Sequence, residues 1–224
     1  PPTPTTTPSP SPTVPPTATA TTTIPPASPT PVPTATPEGL LFDGVISDLV
    51  PHAVGDWLRY EITDASGNVI IEEEGTVLSV ESDGKFVIEV LRHDLQGWET
   101  HHETQTYIDT GSQLFYVATT DIYREVRTAC DPHLLRLSLP LMADSEFATI
   151  SSCETRTLDG DVLLGNITRR DAFSPLDRLA TLTVPAGTFA PVIRVIGNTT
   201  LGGESSEVYL VPGVGMVQEI LMSG

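Results

Sequence analysis

The sequence predicts an all-β protein: an antiparallel β-sandwich or a strongly curved half-barrel sheet, preceded by an extended Pro/Thr-rich segment. Three observations carry this. Apolar and polar residues alternate in short runs such as WLRYEIT, where Leu58, Tyr60 and Ile62 interleave with Arg59 and Glu61, as a half-buried strand requires. Clusters of Gly, Asp, Ser, Asn and Pro separate these runs at intervals of roughly ten residues. No helix-period pattern of useful length interrupts them.

The extended segment comes first. Residues 1 to 37 hold 14 prolines and 13 threonines and no charge. Proline removes backbone donors and fixes φ, so the segment cannot build a core and reads as a polyproline-II rod or coil. At ~3.1 Å per residue it reaches roughly 115 Å. Such a composition marks O-glycosylated stalks, with Thr3, Thr5, Thr6, Thr7, Thr13, Thr17, Thr19, Thr21, Thr22, Thr23, Thr30, Thr34 and Thr36 as acceptors. An unmodified linker has the same composition, and the sequence leaves both open. The expected organisation is therefore a stalk over residues 1–38 and a single antiparallel β domain over residues 39–224.

Residues 40 to 50, LLFDGVISDLV, open the domain. If extended, they place Leu40, Phe42, Ile46 and Val50 on one side. This is either the first strand of the domain or an inter-subunit strand that pairs with a sheet edge on another copy. After WLRYEIT, the turn formers DASGN lead into VIIEEE, a hairpin signal. TVLSVES, Ser82-Asp83-Gly84 and KFVIEVLR form a second hairpin. WETHHETQTYI and QLFYVATTDIYREVR flank the turn Asp109-Thr110-Gly111-Ser112. The region between Cys130 and Cys153 is less regular, and LLRLSLPLM, broken by Pro140, reads as its only helical turn. DVLLGNITRR, RLATLTV, PVIRVIGNTT, EVYLV and GMVQEILM complete the strand series.

The opening PHAVGDWLRYEIT, with Pro51, Gly55, Asp56, Trp57 and Tyr60, and the closing VPAGTF and VYLVPGVGMVQEI carry a resemblance. They resemble a broad group of bacterial secreted and lipoprotein-like β domains of mostly unassigned role. The resemblance implies a curved antiparallel sheet, in some members similar to lipoprotein-carrier half-barrels with an apolar concave face. It covers both ends of the globular part and leaves about 110 residues between them unmatched. Its motifs are turn chemistry: Pro212-Gly213 suits a type II turn. The lipid-attachment cysteine usual in lipoprotein-like members is not present in this sequence.

Composition narrows the function. The chain has 224 residues, 11 basic against 29 acidic, and a formal net charge of −18. A surface this acidic repels phosphate backbones and anionic headgroups, so nucleic-acid binding is not expected. No apolar run reaches the length of a membrane span. The chain begins at Pro1 with neither Met nor a signal peptide, which reads as a mature exported product. Cys130 and Cys153 are an even pair, read as a disulfide closing a loop of about 24 residues, with two buried thiols as the alternative.

Tyr107-Ile108-Asp109-Thr110-Gly111-Ser112 looks like the Asp-Thr-Gly loop of aspartic proteases, in which two aspartates share a proton. Val195-Ile196-Gly197 resembles its supporting element. No second such loop exists in the sequence, and these are good turn residues in any case. Glu99, His101 and Glu103 fall on one face of a regular strand, with His102 on the other. A zinc site needs three or four convergent ligands, and neither His52, His93 nor His133 is patterned with them. Glu72 to Glu74 lacks the spacing of a calcium loop. The triplets beginning at Asn166 and Asn198 are N-glycosylation sequons, expected to be unoccupied.

These readings combine into a non-catalytic extracellular structural or surface protein, a glycosylated filament or surface-layer-type subunit linked through its N-terminal segment. Its expected partners are glycans and other copies of the chain, with no cofactor and no metal. The alternative is a secreted β domain that binds a hydrophobic ligand such as a lipid, which requires an apolar cavity of several hundred Å³. A remoter one is a hydrolase using Asp109.

Overall fold

The computed structural model describes residues 38–63, 68–199 and 205–222. The Pro/Thr-rich residues 1–37, with all thirteen candidate acceptors, lie outside them. So does most of the DASGN turn.

The chain is all-β. Its elements in order are β1 (Leu40–Phe42), α1 (Ile46–Leu49), β2 (Trp57–Thr63), β3 (Val69–Val80), β4 (Lys85–His93), β5 (Glu99–Asp109), β6 (Gln113–Asp121), β7 (Val126–Ser138), β8 (Leu141–Met142), β9 (Phe147–Thr157), β10 (Leu163–Leu179), β11 (Leu182–Val184), β12 (Gly187–Phe189), β13 (Val192–Thr199), β14 (Ser205–Val211) and β15 (Gly215–Met222). Eleven strands form one sheet closed on itself, in the order β10-β13-β14-β15-β2-β3-β4-β5-β6-β7-β9 and back to β10. Of the two expected architectures it is the curved sheet, and the curvature continues to closure. Every neighbouring pair in the barrel is antiparallel except β2 and β15, which run parallel and meet at Ile220 and Thr63. Two small ladders, β1–β8 and β11–β12, stand outside it.

Turn chemistry sets the hairpins. Gly213 has φ +79°, and the Val214 amide donates to the Val211 carbonyl, as Pro-Gly at the centre of a type II turn requires. Gly84, at φ +85°, lets its hairpin lie directly on the next. A Cβ there would stand 2.0 Å from the Asp109 carbonyl oxygen.

The segment 40–50 is not one strand. Only Leu40–Phe42 is extended, paired with β8 of the same chain through Leu40–Met142 and Phe42–Leu141. The chain then turns into α1, which caps one end of the barrel. The Ile46 amide donates to the Gly111 carbonyl, and the Gly213 amide donates to the Asp48 carbonyl. Ile46 and Leu49 are fully buried among Phe86, Leu114, Leu137, Leu141, Ile193, Val195 and Leu210. Helical spacing, in place of strand spacing, therefore pairs Ile46 with Leu49 on the buried side. Burying two such side chains stabilises the cap by about 1.5–3 kcal/mol each.

The expected helical turn in LLRLSLPLM is instead strand. Leu134 and Leu137 pair with Tyr116 and Leu114 on β6, and Leu141 lies on β8. All three are buried in extended backbone, so tertiary pairing overrides the helix propensity of leucine.

Candidate functional site

Below the apolar cap the barrel interior holds a network of polar side chains among apolar ones such as Val77 and Val90. Cross-strand register explains which side chains meet there. Tyr60 is opposite Glu73, Glu73 opposite Arg92, and Arg92 opposite His101, so four adjacent strands point this row to one face. Tyr60 donates its hydroxyl proton to Glu73, and Arg92 Nε donates to Glu73 Oε2 at 2.5 Å. One step along, Glu103 accepts from Gln105 Nε2 at 2.5 Å and from Thr119 Oγ1 at 3.1 Å, and its Oε2 lies 2.9 Å from His101 Nε2. Tyr107 donates to Gln105 at 2.6 Å.

A second cluster fills the opposite wall. Asp171 on β10 is fully buried and takes three contacts: Arg169 Nε at 2.7 Å, Arg169 Nη2 at 2.9 Å and Arg136 Nη1 at 2.8 Å. Both guanidiniums also lie over the Tyr116 ring, at 5.1 and 5.6 Å, and Arg136 lies over Phe173 at 5.6 Å. Arg136 Nε is the one buried side-chain polar atom without a hydrogen-bond partner among the described residues.

The electrostatics follow from this packing. Burial alone would raise the Glu103 carboxyl, but hydrogen bonds from Gln105 and His101 and the charge of Arg92 hold it below the usual carboxylate range. For Glu219 on β15 burial prevails. It pushes the carboxyl up, and nearby Glu73 adds to this, against a hydrogen bond from Ser206 and the charges of Arg136 and Arg92. Burial also pushes the Tyr107 phenol to about 12, with Arg136 opposing. Tyr60 is raised well above its ordinary value by burial and by Glu73. Four interior carboxyls, Glu73, Glu103, Asp171 and Glu219, thus stand against three guanidiniums, Arg92, Arg136 and Arg169.

The sequence-predicted sites lie elsewhere. Asp109 ends β5 at the capped end. Its Oδ1 accepts the Gly111 amide at 2.6 Å, and its Oδ2 lies 3.4 Å from His52 Nε2. Neither contact is a carboxylate, so the shared-proton dyad has no second member in contact with Asp109 among the described residues. His52 is held on its other nitrogen by the Val50 carbonyl at 2.7 Å and stacks on Phe86. Val195 belongs to the apolar core.

Glu99 does not share a face with His101 and Glu103. A bulge at the Arg92–His93 step sets Glu99 opposite His93 while His101 stays opposite Arg92. Glu99 therefore joins the other face. It lies 3.5 Å from His102 Nδ1 and accepts from Tyr123, while His102 Nε2 meets Glu89 at 2.9 Å. Among the described residues no group of three or more His, Cys, Asp or Glu side chains is arranged to hold a metal ion.

Cys130 and Cys153 are joined. They are directly opposite on β7 and β9, both buried, and pack with Tyr116 and Leu134. Outside them, β6, β7 and β9 form an open groove of about 700 Å³ lined by Val117, Ala129, Asp131, His133, Glu154 and Arg156, among others. Arg156 is already tied to Glu154 at 2.9 Å and Asp161 at 3.5 Å. This lining mixes charged side chains with apolar ones such as Val117, Ala129 and Leu158.

The interior network is not legible in the sequence as a unit. Glu73, Arg92, Glu103 and Asp171 each sit in strands with polar residues on both faces, so alternation alone reads them as a wet surface.

No family model and no curated protein matches this chain. Among the described residues no helix is long and apolar enough to cross a membrane. Among solved structures the chain is similar to a presumed exported protein with YmcC-like fold from Bacteroides fragilis NCTC 9343. The two are 12% identical with a TM-score of 0.50, and the match covers 78% of this chain and 91% of that one. The likeness is one of fold: a strongly curved antiparallel sheet.

Proposed function

We propose that this chain is a non-catalytic exported surface protein, a barrel module carried on a Pro/Thr-rich stalk. The supporting observation is that three of the four interior carboxyls, Glu73, Glu103 and Asp171, are already engaged by neighbouring side chains. Glu73 is taken by Tyr60 and Arg92, Glu103 by Gln105, Thr119 and His101, and Asp171 by two arginines. A carboxylate so engaged is a fixed structural acceptor, whereas a general base needs a free lone pair aimed at a substrate proton. The B. fragilis protein, itself presumed exported, supports the compartment, as do the disulfide and the stalk composition.

In the finer reading, sugars on the stalk threonines stiffen it, and copies associate through the N-terminal region as a filament or surface layer. The placement of 40–50 constrains how. Ile46 and Leu49 cap the barrel of their own chain, so association by strand donation means exchanging the cap between copies. Intact mass and native sizing of chain purified from its source test the proposal. Glycan mass on a peptide from residues 1–37, together with an assembly that deletion of 1–37 disperses, is the expected result. A bare monomer with a turnover abolished by Asp109→Asn would overturn it.

A further inference from the structure

The barrel has one weak seam. Among the described residues β2 and β15 share a single residue pair, Ile220 with Thr63, while every other neighbouring pair is in register over at least six residues. Among the described residues it is also the only parallel pairing in the barrel, the less stable kind. Glu219 immediately precedes the bridging Ile220, and its neighbour on β14, Val208, puts it on the interior face.

We propose that this seam is a pH-sensitive lateral opening of the barrel, in which ionisation of Glu219 beside Glu73 drives β2 and β15 apart. The groups facing Glu219 come from five strands. Ser206 on β14 donates a hydrogen bond to it, Glu73 on β3 disfavours its charge, and Arg136 on β7 and Arg92 on β4 favour it, while the Tyr60 phenol on β2 is near enough for the Glu219 charge to raise it. Both arginines are already engaged, Arg92 by Glu73 at 2.5 Å and Arg136 by Asp171 at 2.8 Å. The proton lost to solvent from Glu219 therefore leaves a charge with no guanidinium of its own. It leaves that charge next to the strand pair with the fewest residue pairs among the described residues.

The direction follows from burial, which raises the Glu219 carboxyl. A carboxyl raised in the folded state contributes stability that is fully present below its unfolded pKa of about 4.3 and is lost as pH rises through the folded value. The seam is closed in acid and loosens toward neutral pH. Separation there exposes the Tyr60–Glu73–Arg92 row sideways, away from the end capped by Ile46 and Leu49.

Amide hydrogen exchange on the full chain, corrected for intrinsic base catalysis and read between about pH 4 and 8, tests this. Protection of β2 and β15 amides is expected to fall relative to β9 and β10 as pH rises, by about tenfold per unit by which the carboxyl is raised. Glu219→Gln, which mimics the protonated side chain, is expected to hold the seam closed throughout. Uniform pH dependence across the barrel, or a seam that still loosens in Glu219→Gln, overturns the proposal. Should that variant fail to fold, the side-chain carboxyl carbon shift of Glu219 in the wild-type chain decides. A midpoint at or below about 4.3 overturns the proposal, and one above it that coincides with the loss of seam protection supports it.

Discussion

Asp171→Asn puts the interior network to its sharpest test. The wild-type carboxylate has no exposed surface and meets three guanidinium nitrogens between 2.7 and 2.9 Å. Asparagine keeps the shape but replaces one acceptor oxygen with a donor, so that N–H faces N–H and Arg136 and Arg169 lose their counter-charge. Removing one partner from a buried ionic cluster costs about 3–5 kcal/mol, because the remaining charges stay desolvated and unpaired. In a barrel of this size that lowers Tm by roughly 10 °C. Urea titration at neutral pH measures it, with an unchanged m-value marking the loss as one of native stability. A second variant separates the causes. Replacing Asp171, Arg136 and Arg169 together by Leu, Met and Met removes the stranded charges as well and should cost less than Asp171→Asn alone. A loss below about 1 kcal/mol for Asp171→Asn, or a triple variant worse than the single, would refute the reasoning.

Three further outcomes are expected. Gly84→Ala and Gly55→Ala share a positive φ, but only Gly84 has a neighbour in the way, so Gly55→Ala should cost about 1 kcal/mol and Gly84→Ala clearly more by thermal melting. Replacing Cys130 and Cys153 by alanine opens a loop with a sequence separation of 23 and should lower the unfolding free energy by about 3 kcal/mol, a change that reduction of the wild type reproduces. Glu103 is held below the usual carboxylate range, so its stabilisation is present above its unfolded pKa and lost as pH falls through the folded one. Tm measured from about pH 6 downward should therefore drop less steeply in Glu103→Gln than in wild type.

How much of this was legible in the sequence depends on which residues decide it. The hairpins were, because Asp, Gly and Pro at 83–84, 109–111 and 212–213 specify turns locally. The 40–50 segment was legible only as an apolar stretch. Whether Ile46 faces its own chain depends on Gly111 and Gly213, 65 and 167 residues further on, which accept and donate the bonds that seat α1. The Glu99 face was misread because a single bulge shifts every later side chain by one, and bulges leave no reliable mark where both faces are polar. LLRLSLPLM misled for the opposite reason: its leucines carry helix propensity, but their partners on β6 decide.

The interior network was hidden for a geometric reason. An eight-stranded barrel is just wide enough for its own side chains to fill, and the bore grows with strand number. This barrel has eleven strands, so short aliphatic side chains pointing inward from opposite walls would leave a gap. At the capped end α1 fills it with Ile46 and Leu49. In the middle long side chains with flat ends take up the space, as Arg136 does: it reaches past β9 from β7 to Asp171 on β10, with its guanidinium over Tyr116 and Phe173. Arginine, glutamate and tyrosine supply the length, and pairing them offsets the desolvation their charges incur. The strand sequence cannot announce this, since the same alternation lines a wet face in an open sheet and a filled bore in a closed one. Closure decides between them, and among the described residues closure is made at one pair, Ile220 with Thr63.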